Sequence, residues 1–343
     1  MSDQPLLEVK DLKVSFHTYA GQVQAVRGLS FSLSAGETLA VVGESGCGKS
    51  VSAKALMGLL SCPPCEIKPA SQILYQGKNV LQFQEAEWSA FRGKECSMIF
   101  QDALAALNPT LAVGRQIEEN LIVHHLASRS AARKKAVEML ALVGIPQPER
   151  RARQYPHQFS GGMRQRVMIA IALACDPKIL IADEPTTALD VTIQAQIIDL
   201  IKALQGKLNT AVLLITHDLG VVADIAHRIL VVYAGRIVEQ GSRDEIFYSH
   251  RHPYTWSLLR SVPRLDLTQK EELVSIEGTP PDLIDPPAGC PFAGRCRWCM
   301  EICREEEPPE VQFSPGHSCR CWLHHPDAPD WQTPFQRGDG VLC

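Results

Sequence analysis

Residues 39–50 read LAVVGESGCGKS, a short apolar run that leads into a glycine-rich turn ending in Lys49 and Ser50. The turn fits the spacing G-x-x-x-x-G-K-[ST] at every position, and a helix-like stretch follows it over residues 51–60. Glycines let a backbone wrap around phosphate oxygens, and a helix N-terminus supplies positive potential. The sequence therefore predicts a strand, a phosphate-binding loop and a helix in succession.

The residues of this loop have different expected roles. Lys49 pairs with the β- and γ-phosphates, and the hydroxyl of Ser50 binds Mg²⁺. Cys47 fills a variable position, so no reactivity is expected of it. The residues expected to surround the nucleotide are Gly43, Glu44, Ser45, Gly46, Cys47, Gly48, Lys49, Ser50 and Val51.

Similar apolar runs recur at residues 179–182, 212–215 and 229–233. Near-continuous runs of this kind are typical of buried parallel strands. Amphipathic helical stretches lie between them, over residues 131–143 and 191–206. The fold class is therefore α/β, with a parallel sheet at its core.

Three other regions differ from this pattern. Residues 6–16 and 23–33 alternate apolar and polar positions, which predicts an antiparallel β subdomain with one exposed face. Helical periods dominate residues 102–168, so a helical insertion is expected there. After residue 260 a proline-rich connection leads into a cysteine-rich segment. We expect one domain that contains the phosphate loop over residues 1–260. The rest of the chain is expected to form a linker (261–289), a separate cysteine-rich appendage (290–325) and a tail (326–343).

The run at residues 179–182 ends in two carboxylates, Asp183 and Glu184. A nucleotide-hydrolysing site needs a group that holds the metal and a group that activates water. We expect Asp183 to reach Mg²⁺, directly or through water, and Glu184 to polarise the attacking water as the general base.

Composition limits the class of protein. The 343 residues suggest about two domains, and 45% hydrophobic with 21% charged residues is typical of globular chains. A net charge of -4 gives no general reason to bind nucleic acid. No apolar run approaches the roughly 20 residues of a membrane-spanning helix, and residues 1–5 do not resemble a secretory signal. We expect a cytosolic location, where twelve cysteines suggest metal ligation.

Residues 159–165 read FSGGMRQ and decide between the classes of phosphate-loop protein. This stretch resembles the signature sequence of the ABC ATPases, and it lies before Asp183 as that family requires. The resemblance implies that Ser160, Gly161 and Gly162 hold a nucleotide bound to the opposite subunit. A serine and two amides at a helix N-terminus suit a γ-phosphate.

Further features that resemble the ABC family follow in order: Gln101 in IFQD, Asp190 in ALD, and His217 in THD. The resemblance implies that Gln101 senses Mg²⁺ and the attacking water and links the core to the helical insertion. It implies that His217 contacts the γ-phosphate and that Asp190 lies at a dimer interface. The family commonly stacks adenine on an aromatic residue near the first strands, for which Phe16 is our choice and Tyr19 the alternative.

Several stretches resemble one branch of the family, the ATPase subunits of bacterial oligopeptide and dipeptide importers. These stretches are residues 43–51, 98–102, 107–109, 155–163, 183–192 and 252–255. Val51 and residues 57–60 are similar to the first of the two ATPases that such importers commonly pair.

The resemblance implies a set of partners and a location. The chain would pair with a second ABC ATPase as a heterodimer, and ATP-dependent closure would act on two membrane permease subunits. These would receive peptide from an extracytoplasmic binding protein, with the ATPases at the cytoplasmic face of the membrane. Import of nickel or another small solute is an alternative, and a soluble ABC ATPase in DNA repair or translation is a third.

The spacing of four cysteines resembles the four-cysteine pattern of the same subfamily: Cys290, Cys296, Cys303 and Cys319. Four thiolates can hold a 4Fe–4S cluster or a tetrahedral Zn²⁺. Family resemblance favours the cluster. Cys299 and Cys321 are additional candidates, so the ligand set stays open at this point.

Overall fold

The computed structural model describes residues 4–186, 190–261 and 276–329. The strands within these ranges are β1 (Leu7–Thr18), β2 (Gly21–Leu33), β3 (Thr38–Val42), β4 (Cys65–Ile67), β5 (Gln72–Tyr75), β6 (Lys78–Asn79), β7 (Cys96–Ile99), β8 (Ile179–Asp183), β9 (Ala211–Ile215), β10 (Arg228–Tyr233), β11 (Arg236–Ser242), β12 (Glu310–Ser314) and β13 (His317–Arg320).

The helices of the same ranges are α1 (Lys49–Leu56), α2 (Glu85–Phe91), α3 (Ala103–Ala106), α4 (Val113–Val123), α5 (Arg129–Leu142), α6 (Pro148–Arg151), α7 (Gly161–Leu173), α8 (Val191–Leu208), α9 (Leu219–Ile225), α10 (Arg243–Tyr248), α11 (Pro253–Arg260) and α12 (Ile302–Glu305). Short 3-10 helices span Val80–Gln82, Pro156–Gln158, Ala293–Arg295 and Trp322–His324.

The chain divides into two compact units, and the first comprises Met1–Leu6, Leu33–Thr38 and Asn79–Ile215. Its sheet contains β7, β8 and β9, which run parallel to one another. Ile181 of β8 pairs with Met98 on one side and Leu213 on the other. All three strands are buried along their whole length. Their uninterrupted apolar sequences follow from this burial on both faces.

Helices fill the first unit between β7 and β8, where α3 to α7 follow one another without a strand. Helix α7 packs against α3, α4 and α5. Its inward residues Val167 and Ile169 are fully buried. The helical run extends from Ala103 to Leu173, somewhat beyond the expected end at residue 168.

The second unit comprises Leu7–Ser32, Leu39–Lys78 and Thr216–Cys343, and contains two groups of strands. One is an antiparallel group in the order β2-β1-β5-β6, with β4 also paired to β1. Leu12 and Val14 of β1 are fully buried while Asp11 and Lys13 are partly exposed, as an alternating strand requires. In the other group β10 pairs in parallel with β3 and antiparallel with β11.

The cysteine-rich segment belongs to this second unit. Strand β13 pairs with β11 and with β12, so the segment extends the sheet. Cys290 and Phe292 pack in the same hydrophobic cluster as Tyr233 and Tyr254. The expected separate appendage is therefore not confirmed. The cysteines and prolines change the composition after residue 260. The backbone of this segment nevertheless extends the sheet, and its apolar side chains join the core of the second unit.

None of the helices in the described part of the chain is long and apolar enough to span a membrane.

Candidate functional site

The phosphate loop adopts backbone conformations that favour glycine. Gly43, Gly46 and Gly48 have φ angles of 152°, 81° and 96°. A Cβ at Gly43 would overlap the carbonyl oxygen of Val232, and one at Gly48 would overlap that of Ala25. The motif glycines are therefore required by both the left-handed backbone and the close approach of neighbouring strands.

Lys49 begins α1 directly after this loop, and its ammonium group turns back over it. Nζ donates hydrogen bonds to the carbonyls of Gly43 at 2.7 Å and Glu44 at 2.9 Å. The side chain is buried, whereas Ser45 and Gly46 at the tip of the loop are exposed. The cation thus lies beneath a surface of accessible backbone, which suits it to a phosphate. Ser50, Val51 and the buried Cys47 complete the expected set.

Burial raises the pKa of the Cys47 thiol, although the nearby Lys49 ammonium opposes this shift. The thiol is therefore protonated at neutral pH. This agrees with the expectation that Cys47 has no chemical role.

Glu44 forms hydrogen bonds through both its backbone and its side chain. Its amide donates a hydrogen bond to the Tyr254 hydroxyl at 2.9 Å. Its two carboxylate oxygens accept hydrogen bonds from Arg295 at 2.6 and 3.0 Å. Neither partner could be predicted from the sequence, because no local pattern connects Tyr254 or Arg295 with the loop.

A cavity of about 290 Å³ lies beside the loop. It is lined by Ser45, Gly46 and Cys47 and, from distant parts of the chain, by Val23 and Pro280–Leu283. Phe16 is half-buried on β1 and is not one of the lining residues, and Tyr19 is fully exposed. The adenine-stacking role of Phe16 stays a prediction.

His217 belongs to the same unit as the phosphate loop and is exposed. The preceding Thr216 is buried, and its amide donates a hydrogen bond to the carbonyl of Val41 at 3.3 Å. Because Val41 is in β3, His217 follows a residue fixed close to the start of the phosphate loop.

The first unit holds the two carboxylates at the end of β8. Asp183 is buried with 4% of its surface exposed. Glu184 leaves the strand with a φ of 48°, and its amide donates to the Ile215 carbonyl at 2.8 Å. The Glu184 carboxylate accepts a hydrogen bond from the side-chain amide of Gln101 at 2.9 Å. A left-handed non-glycine residue is strained, and such strain is common at functional sites.

The FSGGMRQ stretch forms the start of α7. Ser160 is its N-cap, and its Oγ accepts a hydrogen bond from the Met163 amide at 3.4 Å. Ser160 and Gly161 are exposed, while a Cβ at Gly162 would come within 2.9 Å of Ile193. The helix N-terminus therefore presents its amides to solvent, where an anion could bind.

Gln165, on the same helix, is buried and donates to the Pro185 carbonyl at 2.5 Å. This contact links α7 to the segment that follows Glu184. Asp190 is exposed and caps α8 by accepting from the Ile193 amide at 3.0 Å. Ala188 and Leu189 lie outside the described residues.

Four cysteines line one apolar cavity in the second unit: Cys290, Cys296, Cys303 and Cys321. Cys319 is not among the lining residues and packs with Trp256 and Leu323 instead. Three of the four expected ligands therefore line one cavity together with Cys321, and the ligand set stays a prediction.

Burial, with additional repulsion from neighbouring thiols, raises the pKa of Cys290 and of Cys296 to about 12. Such thiols lose their protons readily only when a cation takes their place. In residues 4–186, 190–261 and 276–329, no three His, Cys, Asp or Glu side chains are grouped closely enough for a single metal ion.

Two sequence families match the chain. The ABC transporter family matches residues 26–187, and the family described as the C-terminal region of oligopeptide/dipeptide transporters matches residues 238–303. The first match includes the phosphate loop, the FSGGMRQ stretch and the two carboxylates. The second includes Cys290, Cys296 and Cys303.

Two characterised relatives match nearly the whole chain. It is 58% identical over 329 residues to the oligopeptide transport ATP-binding protein OppD of Bacillus subtilis (strain 168), covering 96% of this chain and 92% of that protein. It is 54% identical over 330 residues to the dipeptide transport ATP-binding protein DppD of Lactococcus lactis subsp. cremoris (strain MG1363), covering 96% and 94%.

Among solved structures, one similar chain is an ATP-binding cassette in a dimeric post-hydrolysis state bound to ADP and Pi. Its TM-score is 0.61 at 26% sequence identity, and the match covers 69% of this chain and 98% of that one. A second, described as the dimeric structure of a bacterial ABC transporter cassette, has a TM-score of 0.62 at 27% identity, with the same coverage.

Proposed function

The chain belongs to the ATP-binding subunits of the oligopeptide and dipeptide ABC transporters, and from this premise we propose that it hydrolyses ATP to drive peptide import. The observation that carries the proposal is the phosphate loop, with Lys49 buried beneath two exposed loop residues. ATP and Mg²⁺ are the expected ligands of an ABC ATPase.

Several residues are proposed to act on the nucleotide. Lys49 and the loop amides bind the phosphates, and His217 contacts the γ-phosphate. Ser50, Asp183 and Gln101 offer the oxygen ligands that Mg²⁺ prefers. Glu184 polarises the attacking water, and its hydrogen bond from Gln101 supports this role by fixing the carboxylate.

In the proposed composite site, one subunit supplies the phosphate loop and the other supplies the N-terminus of α7. The exposure of that N-terminus supports its part in such a site. Ser160, Gly161 and Gly162 are proposed to hold the nucleotide of a partner ATPase, with Asp190 at the interface. We propose a heterodimer with a second ABC ATPase. The dimeric cassettes among the similar solved structures agree with pairing but leave the identity of the partner open.

The proposed complex contains two membrane permease subunits and an extracytoplasmic peptide-binding protein. The chain would lie at the cytoplasmic face of the membrane. ATP would favour a closed ATPase pair, and closure would change the permease conformation. Uptake of labelled peptide by the reconstituted complex tests this function. ATP-dependent uptake of nickel without peptide uptake would reject it.

We also propose that the cysteine cavity holds a 4Fe–4S cluster through Cys290, Cys296, Cys303 and Cys321. Three buried cysteines and the half-buried Cys296 line one apolar cavity, which supports this ligand set. Such a cluster would act as a structural brace between β13 and the segment that precedes α12. The ATP cycle contains no redox step that would need it.

The fourth ligand can be tested with two cysteine variants purified under anaerobic conditions. We expect Cys321→Ala to lose most of the bound iron and acid-labile sulfide, because one of the four cluster thiolates is removed. Cys319→Ala is the matched control, since Cys319 is also buried but is not among the residues that line the cavity, and this variant should keep its iron. Zinc without iron in the wild type would contradict the cluster, and iron loss in the control alone would restore Cys319 as the ligand.

A further inference from the structure

Arg295 uses all of its hydrogen-bond donors within the protein. Arg295 ends the 3-10 helix Ala293–Arg295, and its side chain is only 6% exposed. Nη1 donates to Glu44 at 2.6 Å and to the Tyr233 hydroxyl at 3.2 Å, while Nη2 donates to Glu44 at 3.0 Å. The remaining N–H groups reach two backbone carbonyls, Ile276 at 3.0 Å and Glu277 at 2.9 Å. A guanidinium with five satisfied donors has one well-defined position.

This fixed guanidinium holds the second residue of the phosphate loop through both carboxylate oxygens. A bidentate arginine–carboxylate pair of this kind fixes the orientation of the carboxylate as well as its distance from the guanidinium. The Glu44 peptide is also fixed, since its amide donates to Tyr254 and its carbonyl accepts from Lys49. Glu44 therefore connects a distant arginine with the lysine that is expected to bind phosphate.

The loop needs such support because its glycines leave the free backbone unusually flexible. Three of its glycines have positive φ angles, and the tip at Ser45 and Gly46 is exposed. A flexible loop would have to be ordered when ATP binds, which reduces affinity. A loop already held in shape avoids that cost, so its anchors contribute to affinity without touching the ligand.

We propose that Arg295 is a positioning residue for nucleotide binding, acting through the Glu44 carboxylate to keep the phosphate loop in its binding conformation. The inference rests on the proposed binding of ATP at this loop. It makes ATP affinity depend on the C-terminal segment, which is outside the phosphate-loop motif. Arg295 lies between Cys290 and Cys296, so one short segment serves both the cysteine cavity and the loop.

A double-mutant cycle in the full-length chain tests this coupling. We expect Arg295→Gln and Glu44→Gln each to weaken ATP binding, measured by calorimetry, by about tenfold, since each breaks a partly buried charge-assisted pair. The double variant should bind no more weakly than the weaker single variant, because both changes break the same contact. In the assembled transporter, KM for ATP should rise with little change in kcat.

Two further variants separate positioning from general stability. Arg295→Lys keeps the positive charge but cannot donate the same pair of parallel hydrogen bonds. Its ATP affinity should therefore lie between those of Arg295→Gln and the wild type. Arg320→Gln breaks an exposed ion pair with Glu310 in the same unit and should bind ATP like the wild type. If Arg295→Gln does not fold, Glu44→Gln, which leaves a hydrogen-bonding amide in place, provides the same test.

Unchanged ATP affinity in both single variants, or fully additive losses in the double variant, would overturn the inference. A fall in Tm with normal ATP affinity would show a purely structural role and would also overturn it. A wild-type chain that does not bind ATP would instead refute the proposed function, so the two failures are distinguishable.

Discussion

Replacing Glu184 by Gln is expected to slow ATP hydrolysis by about 100-fold or more, because a positioned general base contributes at least that factor. The substitution removes the carboxylate while keeping the size of the side chain. Gln101 can still hydrogen-bond to the new amide, so the geometry at the end of β8 should be preserved. The assembled transporter should then retain bound ATP, which single-turnover measurements with labelled ATP would reveal.

Glu138→Gln is a matched control, since Glu138 is exposed on α5 of the same unit. It should hydrolyse ATP at the wild-type rate. Normal turnover in Glu184→Gln, with an unchanged Tm, would show that another group activates the water. Loss of turnover together with loss of ATP binding would place Glu184 in binding rather than in chemistry.

Lys49→Ala is expected to weaken ATP binding by about 100-fold, which corresponds to losing one or two charge-assisted hydrogen bonds to phosphate. The variant also leaves the Gly43 and Glu44 carbonyls without their ammonium donor. We therefore expect the free energy of unfolding to fall by about 1–3 kcal/mol even without nucleotide. Calorimetric titration with ATP and denaturant unfolding measure the two effects separately.

Lys54→Ala provides the comparison, because Lys54 is exposed on the same helix α1. Its ATP affinity should match the wild type and its stability should change little. If Lys49→Ala and Lys54→Ala bind ATP equally well, the buried ammonium does not contact the phosphates.

The parts of the site that are contiguous in sequence could be predicted from it. A phosphate loop and a strand that ends in two carboxylates each need a fixed local spacing. Lys49 and Ser50 therefore begin a helix directly after the loop, two residues before the expected start at residue 51, and Asp183 ends β8. Hydrophobic patterning likewise predicted β8, β9 and β10, since strands buried on both faces need continuous apolar runs.

Contacts between distant residues could not be predicted in this way. Glu44 and Arg295 are 251 positions apart, and neither position shows its partner in a single sequence. The position of Cys321 at the cavity could not be predicted for a different reason. Cys319 is in β13 and Cys321 follows its end, so only the path of the backbone decides which thiol reaches the cavity.

Strand β11 has a neighbour on each side, β10 and β13, and this arrangement constrains how the protein can be shortened. A fragment that ends after α11 would lose β12 and β13 and leave one side of β11 with unpaired backbone groups. Open strand edges of this kind recruit other chains. The fragment would also uncover the faces of Tyr233 and Tyr254 that pack on Phe292, at ring distances of 5.3 and 5.4 Å. A minimal cassette cut from this chain is therefore expected to aggregate, which gel filtration beside the full-length protein would detect.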